Sequence, residues 1–116
     1  MLVIVSVVLF ALAAAGGITI VTFYKRGKLS LPLALVHGAF AVSGLVVLII
    51  AAAQGRTTTP GYVALGLFVV VALGGLYLIY AHLAKNKLPR AVIGIHAALA
   101  VIALLLLLFL GIPAGA

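Results

Sequence analysis

Four continuous apolar runs, Leu2–Tyr24, Leu31–Ala53, Tyr62–Ala84 and Ala91–Leu110, occupy nearly the whole of this 116-residue chain. Each is about 20 residues or longer, enough for a helix to cross a ~30 Å hydrocarbon layer. None alternates in polarity as a membrane-barrel strand does, so helices are the only spanning form open to them. With 68% of its residues hydrophobic, the chain has nothing left from which to build a water-soluble domain. The expected fold is all-α and integral to the membrane, a single membrane domain over residues 1–116. Ala11 to Gly17 resembles a signal-peptide cleavage region, but no positive charge precedes the first run, so the run is expected to be retained.

Charge sets the orientation. Lys25, Arg26 and Lys28 lie between the first and second runs, and Lys85, Lys87 and Arg90 between the third and fourth. The middle connection carries only Arg56. This asymmetry predicts cytoplasmic loops at 25–30 and 85–90, with both termini and the middle loop outside. It also accounts for the net charge of +7 without any nucleic-acid partner; the lipid bilayer is the expected partner, with anionic lipid near the basic loops.

The two halves of the chain match each other, about 1–55 against about 61–114. Lys28-Leu29 precedes His37 at the spacing by which Lys87-Leu88 precedes His96. Upstream, Leu9-Phe10 and Gly16-Gly17 match Leu67-Phe68 and Gly74-Gly75. Apolar matches are cheap, but the Lys-Leu pair, the histidine and the Gly-Gly pair keep their order and near-constant spacing. A duplicated two-helix hairpin explains this, with both copies oriented alike in the membrane. The short connections then give an antiparallel up-down four-helix bundle, the second and fourth helices on one diagonal and the first and third on the other.

The chain contains no Asp, Glu or Cys. Disulfides, thiolate ligands, iron–sulfur clusters and covalently attached haem are excluded, and so is proton coupling through a membrane carboxylate. Ionisable groups within membrane helices are functional candidates, and here they are histidines. His37 and His96 each lie about six residues inside their helices, a depth of ~10 Å. Gly16-Gly17 and Gly74-Gly75 lie at the same depth on the other two helices, where glycine permits close approach to a ligand. Ala34, Ala41 and Gly44 share a face with His37, and Ala100 and Ala103 with His96. A wide diagonal flanked by small residues suits a flat macrocycle with one imidazole on each face of its metal. The plain alternative is helix packing, with small residues at the contacts and histidines hydrogen-bonded between helices. His82 matches Tyr24 and breaks the symmetry; both are expected near the cytoplasmic interface, where they and Lys28, Lys87 and Arg90 are candidates to meet the macrocycle's carboxylates or simply to anchor the helices. A three-histidine copper or zinc site through His37, His82 and His96 is a further alternative, set back by the different depth of His82. Ser6, Thr19, Thr22 and Ser43 are expected to bond back to their own helices.

The pairing of His37 with His96, with Gly16, Gly17, Gly74 and Gly75 at their level, resembles the four-helix core of transmembrane b-type cytochromes. The resemblance implies one haem b per chain, His37 and His96 as axial metal ligands, and electron transfer or haem holding, with a quinol or redox protein as partner. Many such cytochromes hold two haems with four histidines; the outer half of this chain has no ligand for a second. The chain also resembles small four-helix proteins of the bacterial inner membrane. An electron carrier is expected rather than an enzyme with its own substrate; the other readings are a structural or assembly subunit of a membrane complex and a small histidine-dependent transporter. A homodimer fits the small size.

Overall fold

A computed structural model describes residues 1–115, all of its regular structure helical. The helices are α1 (Leu2–Lys25), α2 (Leu31–Ala53), α3 (Thr59–Lys85) and α4 (Arg90–Leu106), and α4 continues into a π-helical turn over Leu107–Gly111. All four are long and apolar enough to cross a membrane. The bundle measures 46 × 21 × 20 Å, close to the ~40–45 Å of a bilayer with its interfaces. Large apolar side chains such as Ile18, Val42, Leu73 and Phe109 are exposed around it, an exterior suited to lipid and unsuited to water.

The helix ends follow from local chemistry. Ser30 and Thr58 cap α2 and α3, their side chains accepting from the amides of Leu33 and Gly61, with a proline in each first turn. Proline fits there because its missing N–H would be unpaired anyway. The Thr58 cap starts α3 at Thr59, ahead of the Tyr62 at which the apolar run begins. Gly27 (φ 77°) and Gly55 (φ 67°) end α1 and α2 in left-handed turns. In each, two amides bond back to the last helical carbonyls: Lys28 to Phe23 at 2.9 Å and Gly27 to Tyr24 at 3.0 Å, then Arg56 to Ala51 at 2.8 Å and Gly55 to Ala52 at 3.0 Å. Asn86 (φ 52°) does the same work after α3. The hydroxyls of Ser6, Thr19 and Thr22 bond back to Val3, Ala15 and Ile18.

Within the bundle α1 packs chiefly on α2, and α3 on α4; lesser contacts join α2 to α3 and α1 to α4 with its π turn. No Cα of α1 lies within 8 Å of one in α3, nor any of α2 within 8 Å of one in α4, so those pairs are the diagonals. The tight core fills one half only. Val3, Phe10, Leu48, Ala51, Ala64, Phe68, Ala103 and Leu107 form it, all in the half remote from the basic connections. At its centre Phe10 and Phe68 stack across the α1–α3 diagonal, ring centres 3.7 Å apart and planes within 3°. The half beside the basic connections is looser, and the three histidines lie in it.

Candidate functional site

His37 and His96 face each other across the α2–α4 diagonal, their ring centres 6.3 Å apart and their planes crossed at 75°. Each is tied to the neighbouring helix. His37 Nδ1 is 2.6 Å from the carbonyl oxygen of Ala13 on α1, and His96 Nδ1 is 2.9 Å from that of Val71 on α3. Ala13 and Val71 stand three residues before Gly16 and Gly74, so the two bonds occupy matching positions in the two hairpins. A carbonyl only accepts, so in both residues Nδ1 donates and carries the proton. The neutral ring then presents Nε2 as a bare lone pair. Nε2 has no hydrogen-bond partner on either ring among the described residues, and neither atom is fully buried. A histidine that donates Nδ1–H to a backbone carbonyl and leaves Nε2 free has the orientation and tautomer usual for a metal-ligating imidazole.

The ring separation can be tested against a ligated metal. An imidazole nitrogen sits ~2.0 Å from a bound transition metal and ~1.1 Å from its own ring centre, so a metal held in line between two imidazoles sets the centres ~6.2 Å apart. The observed 6.3 Å fits a single metal atom between the rings. In ring separation, and in having an Nε2 without a partner on each ring, the pair has the donor set a bis-imidazole metal group needs.

The glycines serve the rings directly. A Cβ on Gly17 would lie 3.2 Å from His37 Cε1, and one on Gly16 would lie 3.4 Å from His37 Cβ. On the other side, a Cβ on Gly75 would lie 3.3 Å from His96 Cε1, and one on Gly74 would lie 3.4 Å from His96 Nδ1. Gly16, Gly17, Gly74 and Gly75 thus seat the imidazoles against α1 and α3. Gly44, on the His37 face by sequence spacing, serves the other level: a Cβ there would lie 3.1 Å from the ring of Phe10.

The remaining candidates divide. His82 is buried near the end of α3, seven residues beyond Gly75 and hence ~10 Å away along the helix. No set of three potential ligands comes together among the described residues, which removes the three-histidine site. The Tyr24 hydroxyl is engaged with Leu88, accepting from its amide at 3.0 Å and lying 3.2 Å from its carbonyl oxygen. Lys87 and Arg90 line a cavity of about 1300 Å³ at the basic end, together with Tyr24 and Tyr77, whereas Lys28 and His82 do not. Sequence reasoning passed over Lys25 and Lys85, which also line it; their place in a basic loop was visible, their convergence was not. A smaller cavity of about 390 Å³ reaches His96 from the groove between α3 and α4, past Val71 and Gly74.

No known protein family, curated protein or solved structure matches the chain.

Proposed function

We propose that this chain is a duplicated helical hairpin in a bacterial inner membrane, with loops 25–30 and 85–90 cytoplasmic, holding one haem b between His37 and His96. The observation that carries the reading is the pair of imidazoles 6.3 Å apart, each with Nδ1 committed to a carbonyl and Nε2 free. Carbonyl bonds fix both rings before any ligand arrives, which lowers the ordering cost of ligation. Gly17 and Gly75 hold the rings from behind. Val70, Val71, Leu73, Val92, Ile95 and Leu99 give the groove beside His96 apolar walls. Haem bound there would supply one-electron chemistry, and two imidazole ligands fill both axial positions, which favours electron transfer over oxygen activation. Duplication accounts for the matched histidines, the matched carbonyl partners Ala13 and Val71, and the matched phenyl pair. A quinol or a redox protein fits as the electron donor.

The test is the absorption spectrum of protein purified from haem-replete cells. A sharp reduced α-band of b type is expected. It should vanish in His37→Ala and in His96→Ala and survive in His82→Ala. The same Nδ1 bonds would also serve a bundle in which the histidines only join helices. A colourless wild-type preparation that takes up no added haemin would establish that role instead.

A further inference from the structure

The cavity at the basic end is walled by α1, α3, the connection after α3 and the start of α4. Four cations converge on it from these segments: Lys25, Lys85, Lys87 and Arg90. Its walls are apolar, with Val21, Ala81, Leu88 and Ile93 among them. The chain contains no Asp or Glu, so no carboxylate side chain of its own can pair with these cations; an anionic partner would come from outside. The cavity is also built. The Tyr24 hydroxyl bonds both polar backbone groups of Leu88, fixing the end of α1 to the connection that carries Lys87.

The opposite flank of the bundle differs in its residues. Leu83 and Leu31 stand at the positions matching Lys25 and Arg90, and buried His82 stands where Tyr24 makes its two bonds. In the register that matches left-handed Gly27 with left-handed Asn86, Arg26 and Lys28 keep their matches to Lys85 and Lys87. The two hairpins have diverged at the positions of Tyr24 and Arg90, and with them the tie to Leu88 and one cation of the α1–α4 cleft.

We propose that this cleft holds one anionic phospholipid per chain, its phosphodiester headgroup among Lys25, Lys85, Lys87 and Arg90 and its acyl chains along the α1–α4 groove. A soluble anion would have no use for the apolar walls, and a zwitterionic lipid would leave the four basic residues unbalanced. The proposal rests on the membrane reading, which side-specific cysteine labelling tests separately, and not on haem.

The experiment is native mass spectrometry of the intact protein released from detergent, titrated in turn with phosphatidylglycerol, phosphatidylcholine and inorganic phosphate. One phosphatidylglycerol per chain should be retained about tenfold or more over phosphatidylcholine, as expected for several basic side chains acting on one anionic headgroup. The triple substitution Lys85→Gln, Lys87→Gln, Arg90→Gln should abolish that preference. The triple substitution Arg26→Gln, Lys28→Gln, Arg56→Gln, with the same change in net charge but outside the cavity, should keep it. Equal retention of the two lipids by the wild type overturns the proposal without recourse to any variant. So does equal loss in both triple variants, which would mark diffuse charge attraction. Displacement by inorganic phosphate at matched concentration would assign the cavity to a soluble anion. Loss of the lipid on one-for-one loading with haemin would assign it to the macrocycle's carboxylates.

Discussion

Gly17 and Gly75 are the residues on which the imidazole geometry turns. Alanine at either position brings a methyl to 3.2 or 3.3 Å from the ring it supports, and the ring must tilt or the helices part. Gly17→Ala or Gly75→Ala should destabilise the protein by ~1–3 kcal/mol, the usual scale of overpacking, read as a lower thermal midpoint in detergent. Gly38→Ala is the control, since nothing lies within 4 Å of its added methyl; as a plain glycine-to-alanine change inside a helix it should add ~0.5–1 kcal/mol. The crossed ring planes give a second expectation for the haem-loaded protein. Axial imidazoles near perpendicular leave the two ferric dπ orbitals close in energy. A 75° angle therefore predicts a strongly anisotropic low-spin electron paramagnetic resonance signal, dominated by one low-field feature; a well-resolved rhombic spectrum would mean parallel rings and a different site. Much at this scale was legible in the sequence: the histidines and the glycine pairs were placed at one depth by counting residues. The use of the glycines was not. Spacing gives height along a helix and only a coarse azimuth, so Gly16-Gly17 read as space for a flat ligand whereas they lie against the His37 ring. The acceptors on Ala13 and Val71 were invisible for a simpler reason: every residue carries the same carbonyl.

At the scale of the helices, the ends decide how the bundle closes. The π turn over Leu107–Gly111 disturbs the ordinary ladder, and the middle connection meets it there. Thr57 donates to the carbonyl of Gly111 at 2.8 Å, and Thr58 donates to that of Leu110. Thr57→Val should cost about 0.5–1.5 kcal/mol, the net value of one such bond, measured by unfolding in mixed micelles. At the other end, Tyr24→Phe removes both bonds to Leu88 and should speed hydrogen exchange at the Leu88 amide while leaving the α2 amides unchanged. The existence of four helices was plain from the apolar runs, and so was the diagonal pairing that short connections force. The π turn was not, because Leu107 to Leu110 is as apolar as any regular helix. The early start of α3 was missed because the apolar run begins only at Tyr62, and the Thr58 side chain must be seen capping the helix before Thr59 and Pro60 join it.

As a whole molecule the bundle is two unlike halves joined end to end. One is closed around stacked Phe10 and Phe68; the other is open, basic and rich in histidine. Phe10→Ala should therefore lower stability by ~3–5 kcal/mol, as for other large core truncations, while leaving the site residues in place, so that any haem band persists at reduced yield. The absence of cysteine makes orientation simple to measure: single substitutions Asn86→Cys and Thr57→Cys should be labelled by impermeant maleimide from opposite sides of a sealed vesicle, Asn86→Cys from the cytoplasmic side. The stacked phenyl pair would also bear on how a haem between the histidines could work. It plugs the one level at which a second pigment would have to sit to relay charge onward, with aromatic carbon and no ligand. With a haem between the histidines, a charge entering from the basic face would find no second ligated cofactor beyond it in the same chain, and the face it came from would be the short way out. Such a protein would be a capacitor at one surface rather than a wire between two.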